Sequence, residues 1–269
     1  MVVQHNVTAM NANRQLGITT TNQAKSSEKL SSGYKINRAA DDAAGLAISE
    51  KMRRQVRGLT QASSNAQDGI SMVQIAEGAL NEVHDMLQRM NELANKAATE
   101  TLTSDDRGYI NQEVTALKAE IDRTANDTKF NELDLLSSAT SYKIQVGADN
   151  GQYITVKLQK MTASGLGVDT VDVSSQVGAS SGISAVKGGI SKLSSMRADL
   201  GAVQNRLEHT IKNLGNVTEN TTAAESQIRD TDMAREMVKY SNNNILAQAG
   251  QSMLAQANQS NQGVLSLLG

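Results

Sequence analysis

The side chains of this chain best suited to acid–base or metal chemistry are three histidines, His5, His84 and His209. They stand apart in the sequence, and none belongs to a His-Glu-x-x-His motif, in which two histidines one helical turn apart bind zinc. The chain contains no cysteine, which removes thiol catalysis, thiolate metal ligands and disulfides. We therefore expect no metal site, no cofactor and no enzymatic activity, and we interpret the histidines as surface or seam residues.

Other clusters of polar or small residues are better explained as helix ends than as ligand sites. Asp105-Asp106 suits the first turn of a helix, where the helix dipole favours carboxylates, and is not a calcium loop. Thr103 and Asp106 have the spacing of a capping box. Gly188-Gly189 begins a helical repeat, so it does not form a phosphate-binding loop.

A basic cluster consists of Lys51, Arg53, Arg54 and Arg57. Nucleic-acid binding is one interpretation, but the net charge of the chain is only -2, which gives no bulk attraction to nucleic acid or to an anionic membrane. A solvated helix face, or contact with acidic residues of a neighbouring subunit, explains the cluster better. No segment approaches the roughly 20 apolar residues of a membrane span. We expect neither nucleic acid nor membrane as a partner.

The basic cluster and His84 lie on a stretch with an apolar residue at every seventh position: Met52, Leu59, Ala66, Val73, Leu80, Leu87 and Ala94. This repeat predicts a helix over about residues 43–98, and the chain has no proline to interrupt it. Residues 52–97 alone would span about 70 Å at 1.5 Å per residue. With one phenylalanine and no tryptophan, the chain suits narrow helix seams better than a wide core. A rod this long needs a partner along its whole length.

That partner is a second predicted rod over about residues 183–218, where Val186, Leu193, Leu200, Leu207 and Leu214 repeat every seven residues. Between the rods, spacings of three and four predict a shorter helix over about residues 104–127. Alternating apolar residues on either side of Asp149-Asn150-Gly151 predict a β-hairpin over about residues 142–158. Residues 126–134 are expected to be irregular, and residues 161–182 to form a loop or a weak strand.

Two rods connected in this way must run antiparallel to bury each other. The hairpin would then lie at one tip and both chain termini at the other. The predicted fold class is therefore mainly α, with long antiparallel helical rods forming a coiled-coil bundle and with a short helix and a small β-hairpin at the outer tip.

Both chain ends carry little charge. Residues 240–269 contain no charged side chain, and residues 1–13 contain none apart from His5. Such helices require burial against a weakly polar surface, so we expect them to pack against each other and against copies of themselves in an ordered oligomer. The candidate polymerisation residues are Val7, Met10, Leu16, Ile245, Leu246, Met253, Leu254, Leu265 and Leu268.

Four segments resemble the signatures of bacterial flagellins: residues 30–48 (LSSGYKINRAADDAAGLAI), 87–94 (LQRMNELA), 200–207 (LGAVQNRL) and 246–259 (LAQAGQSMLAQANQ). The resemblance extends over roughly residues 1–140 and 183–269. It implies an inner helical domain formed by residues 1–42, which include a connector, and residues 235–269. Residues 43–234 would form the rod domain. The large outer domains of many flagellins have no counterpart here, so the chain resembles a minimal flagellin.

The resemblance implies a structural subunit of the bacterial flagellar filament, which serves motility. The subunit would be exported unfolded, without a cleaved signal peptide, and would polymerise with other flagellin subunits outside the cell through its terminal helices. The implied partners are an export chaperone, the filament cap and the hook–filament junction proteins. The alternative is that the chain is itself a hook–filament junction protein, because those proteins have similar termini.

Flagellins also include ligands of the flagellin-sensing receptor of the host, Toll-like receptor 5. Residue by residue, Arg89, Leu93 and Glu113 match the contact motif of the family, with Gln88 as a secondary position and Ile211 as an auxiliary one. Periodicity alone explains these residues as a core leucine and ordinary surface residues, so the receptor role rests on the resemblance. In the filament we expect these positions to be buried between subunits, which makes the monomer the ligand.

Overall fold

The computed structural model describes residues 5–268, and it describes side chains as far as residue 260. The six helices in this part of the chain are α1 (Val7–Ser32), α2 (Ala43–Ala97), α3 (Ser104–Asp127), α4 (Ala163–Leu166), α5 (Gln176–Arg229) and α6 (Met233–Leu268). The four strands are β1 (Lys129–Phe130), β2 (Leu133–Asp134), β3 (Thr140–Gln145) and β4 (Tyr153–Leu158). The prediction of a mainly α fold built on long helices is confirmed.

The chain divides into two compact units: one combines two segments from the two ends of the chain, and the other is a single continuous segment between them. The terminal unit comprises residues 1–54 and 220–269, and the rod unit comprises residues 55–219. The sequence placed the corresponding boundaries at residues 42 and 234. The boundaries of the two structural units lie elsewhere, within α2 and α5, because these helices continue through the division without any break in composition that a sequence pattern could detect.

In the rod unit, α2 and α5 pack through the two apolar rows that the sequence identified. From Leu59 to Ala94 and from Val186 to Leu214, every member of both rows is buried. The helices run antiparallel, because Gly69 contacts Leu207 while Glu77, farther along α2, pairs with Arg197, which precedes Leu207 on α5. Helix α5 is longer than predicted at both ends. Ala179, seven residues before Val186, continues the row and is buried, whereas after Leu214 the row reaches a polar residue, Thr221.

The helix ends follow the predicted chemistry. Gly33 ends α1 in the left-handed region, with φ of 76°, and its N–H donates to Lys29 O. Asp42 Oδ1 accepts the Gly45 N–H at 2.9 Å at the start of α2. Thr103 and Asp106 form the reciprocal capping box of α3. Hydrogen bonds from the hydroxyl and the backbone N–H of Thr103 lower the pKa of Asp106.

The predicted hairpin is formed by β3 and β4, antiparallel and in continuous register from Thr140–Leu158 to Gln145–Tyr153. Its position at the outer tip was wrong. Ala148 in its turn lies against Gly58, near the start of the rod unit, and Ile154 packs with Ala66 and Leu207. The hairpin lies along the rods because its apolar side needs the α2–α5 seam as cover.

Two elements were not predicted. Strands β1 and β2 form a second small hairpin, whose turn holds Asn131 and Glu132 at positive φ. Residues 159–175, here called the strap, contain α4 and are not an exposed loop. The strap buries Met161, Ala163, Leu166, Val168, Val171 and Val173 against the rod core.

Candidate interaction surfaces

The first candidate surface is the terminal helix pair, α1 with α6, which pack against each other as predicted. Asn6 Nδ2 donates to Ala257 O at 3.0 Å. Gly250 leaves room for Leu16, because a Cβ at that position would lie 3.3 Å from the Leu16 side chain. Ala247 is buried. These contacts use small residues, which let the two helices approach closely.

The pairing covers only part of the apolar surface of these helices. Leu16 and Leu254 are half-buried. Five other candidate residues are 57–68% exposed: Val7, Met10, Ile245, Leu246 and Met253. Met237 and Val238 of α6 are exposed as well. The candidates Leu265 and Leu268 lie outside the residues whose side chains the structure describes. The pair therefore presents uncovered apolar side chains on both helices.

One carboxylate lies within the helix pair. Glu236 is 7% exposed, and Lys239 Nζ donates to its Oε2 at 3.3 Å. Burial raises the pKa of Glu236, but hydrogen bonds from Ser26 and Lys239 outweigh burial, so the net shift is downward. The carboxylate is therefore held in its ionised form between the two helices.

The second candidate surface lies on the rod unit, where α2 and α3 form the walls of an open cavity of about 470 Å³. It is lined by Arg89, Glu92, Leu93, Lys96, Tyr109, Ile110 and Glu113. Three predicted receptor residues, Arg89, Leu93 and Glu113, are brought together here although Glu113 is on a different helix. Each has a different environment.

Arg89 joins the two helices. Its Nε donates to Glu113 Oε1 at 2.9 Å and its Nη1 to Glu92 Oε2 at 3.1 Å. The hydrogen bond with Glu113, followed by that with Glu92, raises the pKa of Arg89. About half of each of the Arg89 and Glu113 side chains remains exposed. The pair presents a fixed positive group beside a fixed negative one to the solvent.

The other predicted receptor residues occupy different positions. Leu93 is 4% exposed and belongs to the core. Gln88 is exposed, and its Nε2 lies 2.7 Å from His84 Nε2. Ile211 is half-buried beside Ala66 and Leu207. Because Ala66 and Arg89 are about 35 Å apart along α2 at 1.5 Å per residue, Ile211 does not belong to the Arg89 cavity.

Sequence reasoning missed Tyr109, a large residue of the cavity that is 69% exposed. Tyr109 precedes Glu113 by four residues on α3, so helical spacing places both on one face and was sufficient to find it. The histidines do not converge: His5 and His209 are exposed and His84 is half-buried. Within the described residues, no group of three or more His, Cys, Asp or Glu side chains could hold a metal ion.

None of the helices in the described part of the chain is long and apolar enough to cross a membrane.

Two family models match the chain. The bacterial flagellin N-terminal helical region matches residues 3–141, and the bacterial flagellin C-terminal helical region matches residues 183–268. The chain is 52% identical to a flagellin of Halalkalibacterium halodurans and 46% identical to a flagellin of Bacillus subtilis. It is 48% identical to the flagellar filament 31.3 kDa core protein of Treponema maltophilum. Each of these similarities covers 100% of both chains.

Among solved structures, the crystal structure of Bacillus cereus flagellin matches with a TM-score of 0.50 and 29% identity, over 56% of this chain and 88% of that one. A putative flagellar hook-associated protein from Vibrio parahaemolyticus matches with a TM-score of 0.60 over 71% of this chain and 100% of that one. Its identity is 14%, so this second match concerns the fold alone.

Proposed function

The chain belongs to the bacterial flagellin family, and on that basis we propose that α1 and α6 carry the contacts that build the flagellar filament. The protein is a structural subunit of that filament and polymerises with other flagellin subunits. Full-length similarity to flagellins favours this function over that of a hook–filament junction protein. Electron microscopy of the purified chain separates the two, because a filament subunit gives long filaments and a junction protein gives short capped stubs.

The observation that supports the proposal is the uncovered apolar surface of the terminal helix pair. Val7, Met10, Ile245, Leu246 and Met253 lie exposed on helices with few charges to solvate them. Burial between subunits would remove this surface from water at a gain of about 25 cal/mol per Å². A single helix pair cannot bury enough surface to offset its own ordering entropy, so neighbouring copies would supply the missing cover.

Deletion is the most direct test. Removing residues 1–32 or residues 240–269 is expected to abolish filament formation while leaving the helical content of the rod unit intact by circular dichroism. A deleted chain that still formed native-like filaments would refute the proposal.

A point variant tests the same surface without removing a helix. Leu246→Gln places a polar group on the exposed face of α6, and we expect a rise of about tenfold in the critical concentration for polymerisation. Val177→Gln is the matched control, because Val177 is also exposed but lies on the rod unit. Equal effects of the two substitutions would remove the special role of the terminal helices.

Export and assembly partners follow from the same proposal. We propose that the chain leaves the cell unfolded through the flagellar secretion channel, with an export chaperone, the filament cap and the hook–filament junction proteins as partners, and that it functions outside the cell. Membership of a structural protein family supports the absence of a catalytic role. Secretion that required cleavage of an N-terminal leader, detected by sequencing the N-terminus of the extracellular protein, would contradict this route.

The second candidate function is recognition of the monomer by the flagellin-sensing Toll-like receptor. The observation in its favour is the exposed Arg89–Glu113 pair beside Tyr109, on one open cavity. Arginine and tyrosine are the residue types that dominate binding energy at protein interfaces. Gln88 and Leu93 are the neighbouring candidates on α2, and Ile211 would belong to a separate contact.

Receptor reporter cells test this role. We expect Arg89→Ala to raise the monomer concentration for half-maximal activation by about tenfold or more. Arg123→Ala is the control, since Arg123 is an exposed arginine of α3 that also makes two carboxylate pairs, with Glu120 and Asp127. Unchanged activation by Arg89→Ala would count against the receptor surface.

A further inference from the structure

Two connectors join the terminal helices to the long helices, and they meet each other within the terminal unit. Residues 33–42 link α1 to α2, and residues 230–232 link α5 to α6. The Lys35 N–H donates to Arg229 O at 2.6 Å, and the Thr231 N–H donates to Gly33 O at 2.9 Å. Tyr34 and Asp230 thereby form an isolated antiparallel bridge. The chain thus enters α2 and leaves α5 through one shared junction.

The side chain of Arg229 lies at this junction. Its Nη1 donates to Glu50 Oε1 on α2 at 2.9 Å, and its guanidinium lies 4.8 Å from the centre of the Tyr34 ring. Only 12% of the Arg229 side chain is exposed. One guanidinium therefore contacts the first connector and the start of α2, while its backbone carbonyl holds the same connector from the end of α5.

The Arg229 guanidinium needs these contacts because, being buried, it has lost most of its hydration. Without Glu50 and Tyr34 it would be an uncompensated buried charge, which is costly, and its Nε is buried without a protein partner. The planar guanidinium suits stacking on an aromatic ring and pairing with a carboxylate, which a lysine ammonium does less well. Glu50 also accepts from Arg53 at 3.4 Å, and Arg53 lies 4.0 Å from Glu225, which supports the carboxylate from the other side.

The α5–α6 connector has no other anchor of this kind. Its residues are Asp230, Thr231 and Asp232, none of them apolar. The other connector has Ile36, which is 2% exposed. The contact of this connector with the ends of α2 and α5 therefore rests on Arg229 and on the two backbone hydrogen bonds beside it, in addition to the packing of α6 on α1.

We propose that Arg229 is a positioning residue for filament assembly: by binding Glu50 and stacking on Tyr34, it sets the direction in which α1 and α6 leave the junction as a pair. The proposal rests on the proposed function, in which those helices make the filament contacts. Arg229 itself contacts no neighbouring subunit in this proposal. Its loss would leave α1 and α6 intact but wrongly presented.

The test uses the full-length chain with Arg229→Gln, which keeps the length of the side chain roughly but removes its charge. With wild-type filament fragments as seeds, we expect the critical concentration for polymerisation to rise by about tenfold. The control is Arg123→Gln, because Arg123 lies on α3 of the rod unit, its side chain is 62% exposed, and it pairs with Glu120 and Asp127 on the same helix. We expect less than a twofold change for this control.

Two further readouts separate positioning from a general loss of folding. The thermal unfolding of the rod unit should be unchanged in Arg229→Gln. Arg229→Lys, which retains the charge without the planar stack, should fall between wild type and Arg229→Gln. Tyr34→Leu and Glu50→Gln should also raise the critical concentration, and filaments that do form should show an altered helical twist by electron microscopy.

Seeded growth of Arg229→Gln at the wild-type critical concentration, with wild-type twist, would overturn the inference. If Arg229→Gln loses the fold of the rod unit, the result for Tyr34→Leu decides in the same way. Either outcome is distinct from failure of the proposed function, which would be native-like filaments from a chain lacking α1 or α6.

Discussion

The rod unit and the terminal helix pair differ in how much of their apolar surface they bury. In the rod unit, the two rows from Leu59 to Ala94 and from Val186 to Leu214 are completely buried within the chain. Among the described side chains of the terminal pair, α1 buries only Ser26, and α6 buries only Glu236 and Ala247. One region completes its core alone, whereas the other leaves apolar residues in water.

This difference assigns the two regions different tasks. We expect a rod unit with a closed core to keep the same fold before and after assembly. For a helix pair with exposed apolar residues and few charges, we propose that the main gain in burial comes when copies meet. The family membership of the chain supplies the setting for that gain, the flagellar filament.

A matched pair of leucine substitutions gives the strongest test of this contrast between the rod unit and the terminal helix pair. Leu87→Ala in the rod core, where Leu87 is completely buried, should lower the free energy of unfolding of the monomer by about 2–5 kcal/mol, because it leaves a cavity. Leu246→Ala, on the exposed face of α6, should change it by less than about 0.5 kcal/mol. Urea unfolding followed by circular dichroism measures both. Similar losses in the two variants would mean that the terminal pair already has a closed core in the monomer.

The rods could be predicted from the sequence because the buried side of a long helix carries apolar residues at a regular spacing, turn after turn. Seven-residue spacing therefore identified one buried row on each of α2 and α5, although Met52 at the start of the α2 row is only half-buried. The hairpin was equally recognisable from its alternation and turn residues. Its position along the rods was not, because periodicity predicts that a strand has an apolar side but does not say which seam covers it.

The strap escaped prediction for a related reason. Its buried apolar residues, such as Val168, Val171 and Val173, recur at alternating spacings of two and three, which match neither the period of a strand nor that of a helix. The strap is also attached to the rod unit by hydrogen bonds to polar groups that are distant in sequence. Asp122 Oδ1 accepts the Ala163 N–H at 2.8 Å, and Asn111 Oδ1 accepts the Val173 N–H at 3.2 Å. Such pairings between distant residues have no local sequence pattern.

Substitution of a lysine tests whether polar contacts help to hold the strap on the core of the rod unit. Lys118 Nζ donates to Asp169 O at 3.0 Å and to Val171 O at 2.9 Å. Lys118→Met leaves both carbonyls without this donor, so we expect a loss of about 1.5–3 kcal/mol in the free energy of unfolding. Lys187→Met serves as the control, because Lys187 is exposed on α5. If both variants unfold alike, the strap does not depend on the polar contact.

The candidate surfaces were predictable only in part. Spacing and resemblance together identified Arg89 and Glu113, which form an ion pair across α2 and α3. The same residues gave no indication that Ile211 lies far along the rods from Arg89, because a position on another helix has to be located by packing. The junction of Tyr34, Glu50 and Arg229 joins three segments distant in sequence, and no spacing rule connects them.

The smallest expected effect concerns the carboxylate of the terminal pair. The folded pKa of Glu236 is lowered below its ordinary value of 4.5, so its ionised form contributes stability that is present above that value and lost as the pH falls through the folded pKa. Lys25 and Lys29 of α1 and Lys239 of α6 line the same cleft, and they repel one another once Glu236 is protonated.

Glu236→Gln should therefore lower the dissociation temperature of filaments at neutral pH by an amount equivalent to about 1 kcal/mol. As the pH drops from 5 towards and below the folded pKa, the dissociation temperature should fall less steeply for this variant than for wild type. Glu28→Gln, at a more exposed carboxylate of α1, should leave the pH profile close to that of wild type. The rod unit, followed by its own unfolding at each pH, should respond equally in all three proteins. A profile for Glu236→Gln as steep as that of wild type would show that acid weakens the filament through other groups. The contrast between the two regions would then rest on apolar burial alone.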